Sequence, residues 1–363
     1  MPTISNYRRI GIECELRKLC FNRLPASGPK NKTVIAASAT KENVSDDPSD
    51  TYPWVKAVME GQDSHTEIIE LVFGPLSDTL LRDVVTVADI ASKIDLKAIR
   101  EVSGKRSAIT FADWVATFNN KLKPAFQNFR MIADTRFANL SMKALTATSG
   151  SPSRQVNLTI PISAFANKGK LKEMTDGFRP FSSCLIEDIP EMVKGEIGKP
   201  TPHFSDDPVA IGTLTLAVYF IALYATRRQS LNAGSVDKYL FHILPKVDLG
   251  ALARIVFRSS DYEKNSERSG FINKLLTVVC NRITACEPSS RADVNKNSID
   301  LLLNQTFGTQ SCVINPRPSG VLPIYTIAGS NIPAIVVELR SGSLSLLKGI
   351  LDGRTPVSIW KIP

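Results

Sequence analysis

The sequence has little histidine and lacks the cysteine spacing of a metal site. Its 363 residues include three histidines and six cysteines, and no Cys-x-x-Cys pair occurs. Zinc sites are built mainly from cysteine and histidine at short spacings, so a zinc site is not expected. The cysteine spacing predicts no disulfide framework either. We therefore expect free thiols and a reducing compartment, which favours the cytoplasm and leaves delivery into another cell open.

Blocks of like charge are also missing. The net charge is +9, but the basic residues are scattered, with pairs such as Arg8 and Arg9 and no longer run. None of the common nucleic-acid motifs occurs, so no specific nucleic-acid partner is expected. The positive excess instead favours anionic ligands, ATP among them.

The sequence gives little sign of a membrane or export segment. Residues 1–16 carry early charge and no apolar run, so no signal peptide is predicted. The stretch from Pro208 to Thr226 is free of charge and long enough to span a bilayer. Threonines and tyrosines dilute it, and it lies between an acidic pair and a basic pair that suit a helix dipole. We therefore predict a buried helix and no membrane span.

The sequence contains 43% hydrophobic and 22% charged residues, which is a composition typical of a globular protein. Alternating patterns predict strands at 9–19, 52–60, 66–73, 154–162, 321–327 and 334–339. Helical spacing predicts helices at 77–93, 110–122, 208–226 and 271–284. The segment 163–205, rich in glycine and proline, is predicted to be mostly loops. This order predicts an α+β fold with a mainly antiparallel sheet.

Two glutamates stand out on the first of these strands. Glu13 and Glu15 alternate with apolar residues, so both side chains leave the same face of the strand. Neighbouring carboxylates repel one another unless a cation or a shared proton lies between them, and Mg²⁺ takes oxygen ligands of this kind. Spacing alone leaves a second interpretation open, in which a solvent-facing strand carries two charges.

Four short motifs resemble those of one enzyme family. They are Gly11-Ile-Glu-Cys-Glu15, Glu70-Leu-Val72 followed by Pro75, Gln155-Val-Asn157, and Glu338-Leu-Arg340. In this order the motifs resemble the glutamine synthetase-like amidoligases, a group that includes the gamma-glutamylcysteine ligases. The chain differs from the amidoligase branch in having Gln-x-Asn where His-x-His is usual. It also has one additional residue, Gly74, before the proline.

The resemblance implies a glutamine synthetase-like fold, in which a curved antiparallel sheet surrounds an active-site cleft and helices pack behind it. It implies an ATP- and Mg²⁺-dependent carboxylate–amine ligase that forms an amide or isopeptide bond through an acyl phosphate. Its substrates would be carboxylates and amines of small molecules, peptides or proteins; the sequence indicates no oligomeric state. The residues assigned in this way are Glu13, Glu15 and Glu70 to the metal, Gln155 and Asn157 to the cofactor, and Arg340 and Glu338 to catalysis. Arg179, in the loop-rich segment, is a further candidate for cofactor binding.

The resemblance also bears on domain organisation. We predict one catalytic domain over residues 1–363, with a helical insertion at about 206–310. Residues 22–50 are rich in proline, serine, asparagine, lysine and aspartate, and we predict a flexible loop there. If Glu13, Glu15 and Glu70 do converge, at least one of them should have a raised pKa without a metal.

Two other functions remain open on the sequence. One is a non-catalytic binding or structural protein on a related fold, in which Glu338 and Arg340 form an ordinary salt bridge. The other is a different metal-dependent enzyme with a carboxylate cluster, such as a nuclease or hydrolase. A lysine near the clustered carboxylates would favour that enzyme class, and the four motifs contain none.

Overall fold

The computed structural model describes residues 3–4, 10–22, 32–43, 51–63, 66–76, 80–145, 154–175, 188–197, 207–226, 243–248, 251–252, 265–286, 323–327 and 332–339. The chain forms two compact units, one of residues 4–157 and the other of residues 158–363 together with 1–3. Each unit is described by itself below. The single domain stays a prediction.

The unit of residues 4–157 is built on antiparallel strands. In chain order, the strands described as far as residue 161 are β1 (Thr3–Ile4), β2 (Ile10–Phe21), β3 (Val34–Ser38), β4 (Lys41–Asn43), β5 (Thr51–Pro53), β6 (Lys56–Asp63), β7 (Thr66–Leu76), β8 (Ile109–Thr110), β9 (Met131–Ala133), β10 (Ser141–Ala144) and β11 (Arg154–Pro161). The last of them, β11, continues past residue 157. The central order is β2-β7-β6-β3-β9, and β10 joins β2 to β8. The pairings of β2 with β7 and β10, of β6 with β3 and β7, of β3 with β9 and of β8 with β10 are antiparallel, as predicted from the order of elements.

The described part of the same unit also contains three α-helices, α1 (Leu81–Ser92), α2 (Leu96–Ser103) and α3 (Phe111–Lys121), and a 3-10 helix at Pro124–Phe129. α1 buries an apolar stripe and packs against β2 and β7. Lys18 donates from Nζ to the carbonyl of Lys93, the residue that follows α1. α3 begins with a capping box formed by Thr110 and Asp113, which satisfies the first backbone amides.

The prediction of a flexible loop at 22–50 is wrong in its centre. β3 pairs with β6 on one side and β9 on the other, and β4 pairs with β5. The apolar run beginning at Val34 is only a few residues long, and the polar residues around it dominate the composition. Ile35 and Ala36 are nevertheless buried, and the burial of these apolar side chains stabilises β3 in the sheet. Residues 23–31 and 44–50 lie outside the described residues.

The unit of residues 158–363 contains four helices among its described residues: α4 (Lys168–Thr175), α5 (Ile189–Ile197), α6 (Pro208–Thr226) and α7 (Asn265–Cys286). Its strands are β12 (Ile243–Pro245), β13 (Tyr325–Ile327) and β14 (Pro333–Leu339), and both β12 and β13 pair antiparallel with β14. α6 packs against α5, α7 and a short 3-10 helix at Ile162–Ala166. Residues 210–219 of α6 are buried without interruption, which confirms the predicted buried helix.

The loops predicted at 163–205 include two helices, α4 and α5. Each is short, and the glycine and lysine around them obscure the helical period. Leu171, Ile189 and Val193 are nevertheless buried, so tertiary packing rather than intrinsic helix propensity stabilises α4 and α5.

Two further findings concern the membrane and the thiols. None of the helices in the described segments combines the length and the apolar character that crossing a bilayer requires. Cys14, Cys20 and Cys280 form no disulfide. Cys286, the last residue of α7, is disulfide-bonded, so the expectation of free thiols is wrong there. Spacing could not show this bond, because a disulfide depends on which distant segments meet in space.

Candidate functional site

The glutamates of the first two motifs lie on neighbouring strands. In the register of β2 with β7, Glu15 is directly opposite Glu70, and Glu13 is opposite Val72. Directly opposed residues of an antiparallel pair point to the same face, so all three carboxylates share one face. Glu15 and Glu70 are 2% and 1% exposed. The predicted convergence of these glutamates is therefore present, and two of the three carboxylates are buried.

A fourth glutamate and a lysine join this face. Glu60 follows Val58 by two residues on β6, and Val58 is the partner of Glu70 in the register of β6 with β7. The Lys32 ammonium lies between the two acids, with Nζ 2.6 Å from Oε2 of Glu70 and 2.7 Å from Oε2 of Glu60. We call the side of β2, β7 and β6 that carries Glu13, Glu15, Glu60 and Glu70 the carboxylate face.

Neither Lys32 nor Glu60 was predicted from the sequence. Lys32 is in the segment predicted to be a loop, and it is 38 residues from Glu70 along the chain. Glu60 precedes a glycine and belongs to none of the four motifs. The only signal for Glu60 was its alternation with Val58 along the strand, which many surface glutamates share.

The other carboxylates of this face also have partners. Arg17 donates from Nη2 and Nε to Oε2 of Glu15, at 2.7 Å and 3.2 Å. Asn157, on β11, donates from Nδ2 to Oε1 of Glu13 at 2.7 Å. Its Oδ1 is buried and has no hydrogen-bond partner among the described residues. Gln155 precedes Asn157 by two residues and is 6% exposed, so alternation places it on the same side of β11.

The pKa of Glu70 is raised to about 7. Burial is the main cause, and the charge of Glu13 adds to it, while the Lys32 ammonium acts in the opposite direction. For Lys32, burial acts to lower the pKa, but the attraction of Glu70 and Glu60 outweighs it and the pKa is raised. The expectation that at least one glutamate has a raised pKa is confirmed at Glu70.

This pKa shift makes folding stability depend on pH. Glu70 ordinarily titrates at 4.5 and in the folded chain at about 7, so the folded state holds a proton that the unfolded state has released. Stability should therefore fall as pH rises from 4.5 to 7, by up to about 3 kcal/mol from this group. We expect Glu70→Gln to remove most of that fall, measured by urea unfolding at several pH values. Parallel pH profiles for the wild type and the variant would contradict the assignment.

The carboxylate face suits a magnesium ion that is shared with a ligand. Among the described residues, no three side chains of histidine, cysteine, aspartate or glutamate are arranged to hold one ion. Mg²⁺ is usually held by one or two carboxylates, and water and substrate phosphates complete its shell. Glu15 and Glu70 provide such a pair, and the unpartnered Oδ1 of Asn157 provides another oxygen. Binding by all three glutamates of the motifs stays a prediction.

Glu338, the predicted catalytic residue, has a different environment. It lies on β14 in the unit of residues 158–363, where its side chain is 1% exposed. Nζ of Lys246 is 2.9 Å from Oε2 of Glu338, and the lysine side chain is 10% exposed. Nothing in the residue pattern around Glu338 or Lys246 indicates this pairing. Arg340 and Arg179 lie outside the described residues, so their assigned roles stay predictions.

The chain was also compared with known proteins. No family model, no curated protein and no solved structure matches it. Its function therefore has to be inferred from the chemistry of the carboxylate face.

Proposed function

We propose that this chain is an ATP- and Mg²⁺-dependent carboxylate–amine ligase whose site lies on the carboxylate face. The observation that supports the proposal most is the direct pairing of two buried carboxylates, Glu15 and Glu70, across β2 and β7. The order of the four motifs supports the same reaction class. The glutamine synthetase-like architecture belongs to this proposal as well.

Stability alone does not account for these buried acids. Removing a carboxylate from water costs several kcal/mol, and attraction to a cation offsets that cost only when the geometry is good. Packed apolar side chains at such positions often give a more stable protein. Clusters of buried carboxylates with a raised pKa are typical of sites that bind a ligand. The carboxylate face fits this description at Glu70.

The proposal assigns roles to three glutamates of the face and to Asn157. Glu15 and Glu70 would hold Mg²⁺ together with the phosphates of the nucleotide. Asn157 orients Glu13 by its hydrogen bond. When bound, ATP would supply the phosphoryl group that activates a carboxylate, and Mg²⁺ would neutralise the charge of the phosphates. The acyl donor and the amine would be a small molecule, a peptide or a protein side chain.

The test is ADP formation with ATP, Mg²⁺ and mixtures of carboxylates and amines. Glu70→Gln and Glu15→Gln keep the side-chain size and remove a metal-binding charge, so we expect each to lower turnover by roughly 10² or more. Glu67→Gln is the matched control, because Glu67 is on the same strand but alternation places it on the opposite face. It should stay within about twofold of the wild type.

Other results of this test would contradict the ligase proposal. If the wild type forms no ADP above background with any mixture, the ligase proposal fails. Mg²⁺-dependent nucleotide binding without turnover would then favour a non-catalytic binding protein. Equal losses in Glu67→Gln and Glu70→Gln would show that the effect is not specific to the carboxylate face.

A further inference from the structure

Lys32 has an unusual backbone for a lysine. Its φ is 65°, and it is the only non-glycine residue with a positive φ among the described residues. A side chain in the left-handed region costs about 1 kcal/mol or more, and such residues often occur at functional sites. Hydrogen bonds hold the conformation, because the Lys32 amide donates to the carbonyl of Met59 and the Met59 amide donates to that of Thr33. The backbone therefore fixes the point from which the Lys32 side chain extends.

The side chain of Lys32 ends between two buried acids but is not itself buried. The side chains of Glu60 and Glu70 are 7% and 1% exposed, whereas that of Lys32 is 52% exposed. An ammonium has three N–H donors; that of Lys32 donates a hydrogen bond to Glu70, and its contact with Glu60 is an ion pair. A long side chain open to solvent on one side can leave its partners without any movement of β6 or β7.

We propose that Lys32 is the resident cation of Glu60 and Glu70 on the carboxylate face, and that a divalent cation must displace its ammonium from Glu70 in order to bind. This inference rests on the metal role of Glu70 in the proposed function. One oxygen of Glu70, Oε2, already accepts a short charge-assisted hydrogen bond from Lys32. A metal ion drawn to that carboxylate competes with the ammonium for the same charge.

The arrangement has two consequences. In the absence of metal, Lys32 supplies the positive charge without which Glu60 and Glu70 would repel one another across neighbouring strands. In the presence of metal, the ammonium lowers the affinity of the face for a free ion. An ion that arrives bound to phosphate also brings acceptor oxygens for the displaced ammonium, which the free ion does not. Lys32 thus favours a metal–nucleotide complex over the free metal.

The test is a calorimetric titration with Mg²⁺ alone, at about pH 8, above the Glu70 pKa of about 7. Lys32→Met and Lys32→Gly both remove the ammonium, so each should bind Mg²⁺ about tenfold more tightly, or more, than the wild type. Lys56→Met is the matched control, because Lys56 is on the same face of β6 but its ammonium lies over the Tyr52 ring. The control should change the affinity by no more than about twofold.

Two variants are used because they affect the backbone differently. Glycine tolerates the left-handed conformation, so Lys32→Gly should fold even if Lys32→Met is destabilised. Unchanged or weaker Mg²⁺ affinity in the folded variants would overturn the inference, and so would the absence of Mg²⁺ binding in every protein tested. The titration contains no nucleotide, so its result is independent of ADP formation. Tighter binding in the variants with no ADP from the wild type would leave the inference standing and remove the ligase function.

Discussion

Replacing Lys246 by methionine is expected to lower the free energy of unfolding of residues 158–363 by about 3–5 kcal/mol. Methionine fills a similar volume but leaves Glu338 without the ammonium 2.9 Å away. The Glu338 side chain is 1% exposed, so water cannot replace the lost partner. Urea unfolding followed by circular dichroism measures the effect. A variant as stable as the wild type would show that the pair does not stabilise the fold.

The same pair separates a structural role of Glu338 from a catalytic one. Lys246→Met combined with Glu338→Leu removes both charges, and such replacements of a buried pair are often close to neutral for stability. We expect the double variant to recover most of the loss. If it is folded but forms no ADP, Glu338 has the catalytic role that its motif implies. If it retains activity, Glu338 and Lys246 serve the fold alone.

Replacing Gly212 by alanine should lower stability by about 3 kcal/mol or more. A Cβ at this position would lie 2.0 Å from the carbonyl oxygen of Ile162 and 2.9 Å from its carbon. Both contacts are with backbone, so α6 would have to move away from the 3-10 helix that it packs against. Gly195→Ala is the control, since a Cβ there would meet nothing within 4 Å in α5. The control should be neutral or stabilising, because alanine favours a helix more than glycine does.

The measurement for this pair is thermal unfolding under one set of conditions. Gly212→Ala should melt at a lower temperature than the wild type, and Gly195→Ala should not. Similar melting temperatures for Gly212→Ala and the wild type would contradict the close approach of α6 to Ile162.

The sequence predicted the parts of the fold that have a clear period. Alternation along residues 10–16 placed Glu13 and Glu15 on one face and the apolar residues on the other, and Cys14 and Leu16 are buried as expected. The uncharged stretch that became α6 is likewise buried. These predictions succeeded because the spacing of apolar residues along the chain shows whether a strand or helix is buried on one face or on all faces.

No residue pattern in the sequence predicts the contacts that complete the carboxylate face. Nothing near Lys32 in the sequence indicates that its ammonium reaches Glu60 and Glu70, because β3 and β6 are joined only by tertiary pairing. The same is true of Lys246 and Glu338, which come together through the pairing of β12 with β14. The resemblance predicted that Glu70 converges with Glu13 and Glu15, but not that Glu70 lies directly opposite Glu15. A charge partner far away in the chain can be found only once the strand order is known.

Crystals of the protein soaked with ATP and Mg²⁺ would test the central claim most directly. The proposed ligase requires metal density within coordination distance of Glu15 or Glu70, with phosphate oxygens completing its shell. If the metal displaces Lys32, the lysine ammonium should no longer contact Glu70 in that complex. Metal and nucleotide bound away from the carboxylate face, with Lys32 still on Glu70, would contradict the account.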